Sequence, residues 1–481
     1  MTRQFDVLVI GAGPAGLAAA HAAAVHGASV GIVDDNPLPG GQIWRAGQQQ
    51  QCSGPAATIS RAGAAPDHAS EDARHALQAA RNPDPTRQKR QNPSKDELLS
   101  ALRAAANVTF LQQASVLYAP APDRLLVQTP DSSETLEYGQ LILATGAREL
   151  LLPFPGWTLS GVTGAGGLQA LAKGGYPVQG KRVVVAGSGP LLLAVAATLK
   201  ERGAHVVAIV EQAGLSRLAQ FALGLAVTPG KIGQALQLAG KLRGVPYYSN
   251  SYVRAARGGA DGMLREIELQ RGGATELLEC DYLACGYGLA PNLELALALG
   301  CAITARRTVQ VDQWQRTSIP NIFCAGEGTG IGGVDKALAE GRIAGLLAVG
   351  RQKEAQSVFG ERVRWQGFAR RLERAFMLRD EIRALADDDT IVCRCEDVSH
   401  GELRGYQDWR GAKLHTRCGM GPCQGRICGN ATDILYGWRP ESVRVPLVPA
   451  RIGSACHSRE SGNPISRPER RKKMGFPPAR E

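Results

Sequence analysis

Aromatic residues are sparse, with Phe, Trp and Tyr at 5% of 481 residues. That excludes a stacking platform for single-stranded nucleic acid. Histidine is scarce too, at eight residues, and no acid–base dyad or nucleophile–histidine pair can be picked out. No run of 18 or more apolar residues is free of polar breaks, so no transmembrane helix is expected. The first residues lead straight into a strand pattern, without the basic and apolar regions of a secretory signal. Cys52, Cys280, Cys285, Cys301 and Cys324 make no CxxC pair, which argues against a thiol–disulfide reductase; cysteines placed singly are most often small buried residues. Eleven cysteines, odd in number and unevenly placed, do not form a secreted disulfide framework. A reducing cytoplasm is expected, with a peripheral place at the inner membrane through partners as the variant.

What the chain does have is concentrated. Five of its cysteines fall between Cys393 and Cys428, as CxC, 22 residues, then CxxxxCxxxxC. Glycine is abundant, at 58 residues, as tight turns and close backbone–cofactor contacts require. The length implies two to four domains. Net charge is +11, with basic residues gathered at Arg351–Arg383 and Arg467–Lys473. They form no nucleic-acid reader; a solvated helix face and basic tail, or docking onto an acidic partner, account for them.

Phe5–Ile10 reads as a strand and is followed by GAGPAG, Gly11 to Gly16, with Pro14 and Ala15 opening an alanine-rich helix. The first glycine permits the turn, Gly13 lets a pyrophosphate approach the backbone, and Gly16 lets helix and strand pack closely. A second strand ends in Asp34, next to Asp35, where a carboxylate can accept hydrogen bonds from an adenosine ribose. This β-α-β unit predicts dinucleotide binding. The pattern recurs 176 residues later: Gly187 and Gly189 follow a strand, and Glu211 closes the next one. Its third position is Leu192 rather than a small residue, so that helix and strand are expected to stand apart. NAD(H) binding there stays open beside a retained scaffold.

The chain resembles the two-dinucleotide-fold flavoprotein disulfide reductases through VLVIGAGPAG at its start, LILATGAR at 141–148 and IPNIFCAGEGTG at 319–330. The resemblance implies FAD in the first fold, with Thr145, Gly146, Gly326 and Glu327 as contacts. Glu327 stands where Asp is usual. Gly40, Gly41 and Gln42 match a GGQ turn near the flavin. The cysteine stretch resembles the 2Fe-2S module of bacterioferritin-associated ferredoxin, in the version containing TRCGMGPCQGRxC. That implies Cys393, Cys395, Cys418 and Cys423 as ligands, with Cys428 as the alternative; tetrathiolate ligation by itself suits zinc as well.

Nearly the whole chain resembles one family of flavin subunits: the alpha (A) subunits of opine oxidases, the B subunit of hydrogen cyanide synthase, and the alpha subunits of D-hydroxyproline or proline dehydrogenases. The fold expected is α/β: two Rossmann-like dinucleotide-binding domains and a small helical 2Fe-2S module. Expected boundaries are 1–150 with 305–350 for the FAD domain (45–94 an irregular excursion), and 151–304 for the second nucleotide fold. A helical linker at 351–389, the cluster module at 390–440 and a C-terminal wrap and tail at 441–481 follow. The family implies an electron-relay role. Its partner is a D-amino-acid-oxidase-like FAD subunit that oxidises a C–N bond, with a small third ferredoxin-like subunit and a respiratory or quinone-type acceptor. An independent NAD(P)H-dependent FAD/2Fe-2S reductase and a non-enzymatic redox-sensing subunit are the alternatives.

Overall fold

The computed structural model describes residues 2–44, 94–440 and 443–451. The excursion at 48–93 and the basic run at 467–473 lie outside them. Strand Thr2–Ile10 is buried along its last four residues, as a central parallel strand covered on both faces must be. Val30–Val33 and Ser133–Leu143 flank it in parallel, and Val108–Leu111 extends the sheet beyond Val30–Val33. Ser133–Leu143 is longer than the Gln140–Ala144 expected. It changes partners along its length: its first half pairs antiparallel with Arg124–Gln128, and Leu141–Leu143 pairs in parallel with Ile322–Cys324. The second nucleotide fold is therefore inserted between neighbouring strands of the first.

Helix Pro14–Ala24 buries nine of its eleven residues, being alanine-rich enough to be enclosed. Helix Val334–Ala348 lies against it. A Cβ at Gly341 would stand 2.2 Å from the Ala15 carbonyl oxygen, and one at Gly345 2.2 Å from that of Ala19. Only glycine at both positions permits this approach.

The second sheet is all parallel, in the order Tyr247–Tyr248, His205–Glu211, Arg182–Gly187, Tyr282–Gly286, Val162–Gly164. An antiparallel sheet of Ser251–Gly258, Leu264–Arg271 and Ala274–Glu279 packs beside it. Leu192 is buried without prising the helix Leu191–Glu201 away, because the facing strand offers Gly286: a Cβ there would meet Leu192 Cδ2 at 3.1 Å. The expected linker is three helices, Gln352–Ser357, Phe359–Ala375 and Asp380–Arg383.

In the cysteine unit the spacing between the thiol pairs predicts a helix over 396–407. Only His400–Leu403 forms, capped by Ser399 and Glu402, since Gly401 and Gly405 weaken continuation. The spacing is supplied instead by Trp409–Thr416, capped by Asp408. Residues 443–451 form no strand; Pro446 and Pro449 lack donors, and Leu447 N–H bonds the Leu117 carbonyl at 2.7 Å.

Lys336 and Glu340, one turn apart on the helix Val334–Ala348, form a buried ion pair at 2.9 Å. The ammonium also donates to the Gly326 and Gly330 carbonyls and to Thr329 Oγ1. The carboxylate accepts the Gly326 N–H. Removing one partner leaves an uncompensated buried charge. Lys336→Met is expected to cost about 3–5 kcal/mol, read as a lower denaturant midpoint. Lys336→Met/Glu340→Leu should recover much of the loss; a double variant as unstable as the single one contradicts this account.

Candidate cofactor cleft and thiol cavity

A cleft of about 1790 Å³ runs along the C-terminal ends of the first sheet's strands and on to the second nucleotide turn. Gly11, Gly13, Pro14, Asp34, Asp35, Gly41, Gln42, Thr145, Gly146 and Glu327 line it. Ala15, Gly16 and Gly326 lie behind the wall. A Cβ at Gly16 would fall 1.8 Å from the Gly11 carbonyl oxygen, so this glycine permits the turn to pack and touches no ligand. Gly11, at φ +106°, occupies a backbone region that favours glycine.

Asp34 is buried and shapes the turn itself. Its Oδ2 accepts the Ala12 N–H at 2.5 Å, and its Oδ1 accepts the Asn36 backbone and side-chain N–H groups at 2.8 Å. Glu327 likewise folds onto its own loop, accepting the Gly332 and Gly333 N–H groups at 3.0 and 3.2 Å. Burial pushes its carboxyl up, against the nearby Lys336 ammonium and those two bonds.

The second turn is built differently. Glu211 accepts the Gly189 N–H at 2.7 Å, the Ala213 N–H at 2.8 Å and the Ser188 hydroxyl at 3.3 Å. Pro190 has no N–H to offer. Ser188 Oγ donates to the Phe376 carbonyl at 3.1 Å, and Gln212 Nε2 donates to that of Met377 at 3.0 Å. The Arg379 N–H returns a bond to Gln212 Oε1 at 3.0 Å. Thus the segment after the linker helix is fastened to this turn. Gly189 lines the cleft, whereas Gly187 and Glu211 do not.

All five cysteines of the C-terminal unit converge. The Cys393, Cys418 and Cys428 sulfurs lie within 4.8 Å of one another. The neighbouring thiols hold Cys393 and Cys423 well below the usual thiol range, Cys418 and Cys428 acting on Cys393 and Cys428 on Cys423. Gly419 directs its N–H at Cys393 Sγ, 3.5 Å away. A separate cavity of about 80 Å³ is lined by Cys393, Cys395, Cys423 and Cys428, with Leu151, Arg394 and Ile427. Cys418 is fully buried and does not line it.

Cleft and cavity share a wall. Arg148 and Glu149 line the cleft and Leu151 the cavity; Arg426 lines the cleft and the next residue, Ile427, the cavity. Three residues of extended chain span at most about 10 Å. Arg148 pairs with Glu294 at 2.6 Å, bonds Asn292 Oδ1 at 2.6 Å and donates to the Arg426 carbonyl at 3.4 Å. Arg426 in turn donates to the Leu447 carbonyl. Sequence reasoning placed Arg148 within LILATGAR and Arg426 within CQGRIC but gave neither a role. Asn292, Glu294 and Leu447 carried no local signal at all.

The pyridine nucleotide-disulphide oxidoreductase family model matches residues 5–341. The chain belongs to that family. Proteins similar to it over nearly its whole length include hydrogen cyanide synthase subunit HcnB of Pseudomonas aeruginosa, 32% identical over 487 residues, covering 92% of this chain and 96% of the relative. An opine oxidase subunit of Rhizobium meliloti is 31% identical over 489 residues, covering 94% and 98%. The crystal structure of L-proline dehydrogenase from P. horikoshii superposes with a TM-score of 0.61 at 18% identity, covering 94% of this chain and 79% of that one; this likeness supports the fold alone. The family and the mixed α/β, Rossmann-like fold expected from the sequence are thus established. The cysteine unit lies beyond the residues that the family model matches.

Burial outweighs the hydrogen bonds to Glu211 and pushes its carboxyl from 4.5 up to about 7. A carboxyl raised on folding favours the folded state fully below its unfolded pKa, and that contribution is lost as pH rises through the folded value. Glu211→Gln removes the titration. The melting midpoint of the natural chain should therefore fall relative to the variant between pH 5 and 8, by the equivalent of about 3 kcal/mol. A pH-independent difference contradicts the assignment.

Proposed function

We propose that this chain is the electron-relaying member of a multi-subunit dehydrogenase that oxidises a C–N bond of an amino acid or opine. FAD occupies the large cleft and a 2Fe-2S cluster the thiol cavity. The observation that carries this function is the adjacency of a dinucleotide cleft and a cavity lined by four thiols, whose linings take up neighbouring residues at Glu149 and Leu151 and at Arg426 and Ile427. A flavin exchanges electrons in pairs or singly and an iron–sulfur centre singly, so adjacent sites serve a relay. Relatives named as subunits of opine oxidase and hydrogen cyanide synthase support a hetero-oligomer. We assign substrate oxidation to a partner flavin subunit of the D-amino-acid-oxidase type, with a small ferredoxin-like third subunit.

The chain's own residues bind and orient. Gly11, Gly13 and the start of helix Pro14–Ala24 receive a pyrophosphate; Asp34 and Asp35 face the ribose; Gly41, Gln42, Thr145, Gly146 and the Glu327 loop border the rest. For the cluster we assign Cys393, Cys395, Cys418 and Cys423, with Cys428 as the alternative ligand: the Cys393, Cys418 and Cys428 sulfurs lie within 4.8 Å of one another, and Cys393, Cys395, Cys423 and Cys428 line the cavity. The domain boundaries expected from the sequence serve this division, with 1–150 and 305–350 around the flavin and 390–440 around the cluster.

An NAD(P)H-dependent reductase is disfavoured at the second turn, where Gly189 N–H is spent on Glu211 and Phe376 lies alongside. Two outcomes test the proposal. Cys418→Ser and Cys423→Ser should each abolish the visible absorption and paramagnetic signal of the cluster, while Cys428→Ser retains both; loss in Cys428→Ser with retention in Cys418→Ser reverses the ligand assignment. In the natively purified complex, an amino-acid or opine substrate should bleach the flavin of this chain and NADH should not. Bleaching of the isolated chain by NADH overturns the relay.

A further inference from the structure

Helix Leu215–Gly224, its continuation Leu225–Val227 and helix Pro229–Lys241 follow the strand His205–Glu211, and none of the residues in these helices is buried. Helical spacing sorts the first helix into two apolar stripes. Leu218, Phe221 and Leu225 are partly covered, with the Phe221 ring against Phe376 and Phe368 at 5.2 and 6.0 Å. The other stripe, Leu215, Ala219, Leu223 and Val227, is open: Leu215, Leu223 and Val227 are 73%, 78% and 64% exposed. Leu236 on the following helix is 68% exposed, one turn from Ile232. Amphipathic helices ordinarily bury their apolar stripe. Here one stripe is covered and a second is left over.

The charge carried by this segment has one sign. No Asp or Glu occurs from Gln212 to Ala260, a stretch that contains Arg217, Lys231, Lys241, Arg243, Arg254 and Arg257. Lys231 pairs with Asp335 at 2.7 Å and Lys241 with Glu201 at 2.8 Å. Arg217 and Arg243 are exposed and form no ion pair among the described residues. Protein–protein interface cores are enriched in aromatic residues and Met and depleted in Ala. This stripe is Leu, Val, Ile and Ala, without an aromatic anchor. Aliphatic stripes beside basic, acid-free flanks are the pattern of helices that lie in a lipid interface, where anionic headgroups attract Lys and Arg. No helix among the described residues is long and apolar enough to cross a membrane, so the segment would lie on the surface.

We propose that Leu215–Lys241 seats this protein on an anionic lipid bilayer, its open aliphatic stripes at headgroup depth and Arg217 and Arg243 at lipid phosphates. Leu238 and Lys241 also line the large cleft, so seating brings the mouth of that cleft to the lipid. The binding itself does not depend on the electron-relay function.

The test is co-sedimentation of the full chain with vesicles of phosphatidylcholine containing a quarter phosphatidylglycerol, against vesicles of phosphatidylcholine alone. Binding to the anionic vesicles is expected, weakened by high salt and at least about tenfold by Leu223→Glu/Val227→Glu. Both positions are exposed, so circular dichroism of the variant should match that of the natural chain. Absence of binding to anionic vesicles, or equal binding by the variant, overturns the proposal. So does hydrogen exchange in the native complex without lipid, if another protein of that complex protects 215–236.

Discussion

Everything around the large cleft depends on how closely two helix backbones approach. Pro14–Ala24 presents the carbonyls of Ala15 and Ala19, and Gly341 and Gly345 let Val334–Ala348 settle on them without an intervening side chain. One helix supports the phosphate-binding turn. The other carries the Lys336–Glu340 pair that grips Gly326, Thr329 and Gly330. The loop at Glu327 and the turn at Gly11 therefore face each other across a cleft whose width is set by glycine. A methyl group at either contact would push the two walls apart.

The same economy appears where the two halves of the chemistry meet. Arg148 leaves the first sheet at the ATG crossover, and Arg426 sits between Cys423 and Cys428. The two are tied through Glu294 and the Arg426 carbonyl. A charge network of this kind is costly to desolvate and sensitive to geometry, so it fixes one arrangement of neighbouring segments. It keeps the cysteine loop registered against the cleft.

Much of this was legible in the sequence because its causes are local. A glycine turn between a strand and a helix, a terminal acid and a CxC pair each declare themselves within a few residues. The two nucleotide folds and the family followed from such features. What was hidden depends on partners distant in the chain. Leu192 suggested a disrupted turn, but Gly286, almost a hundred residues later, makes room for it. The linker's fastening to the second turn depends on Ser188 and Gln212 meeting carbonyls of Phe376 and Met377. The CxC pair declared itself by spacing, whereas the closeness of Cys393 to the Cys418 and Cys428 sulfurs depends on residues 25 and 35 positions away. That the helices Leu215–Gly224 and Pro229–Lys241 leave one apolar stripe uncovered depends on what packs against them, which no local pattern declares.

Trp157, on the segment that enters the second sheet, donates from Nε1 to the Ile391 carbonyl at 2.6 Å, and the Arg394 guanidinium lies over its ring. Ile391 and Arg394 bracket Cys393 in the chain. Held at both ends, the cysteine unit is a soldered terminal rather than a swinging arm. Under the proposed relay, electrons would travel through fixed matter, at a rate indifferent to solvent viscosity, and any carrier motion in a larger assembly would belong to the protein that comes to meet it.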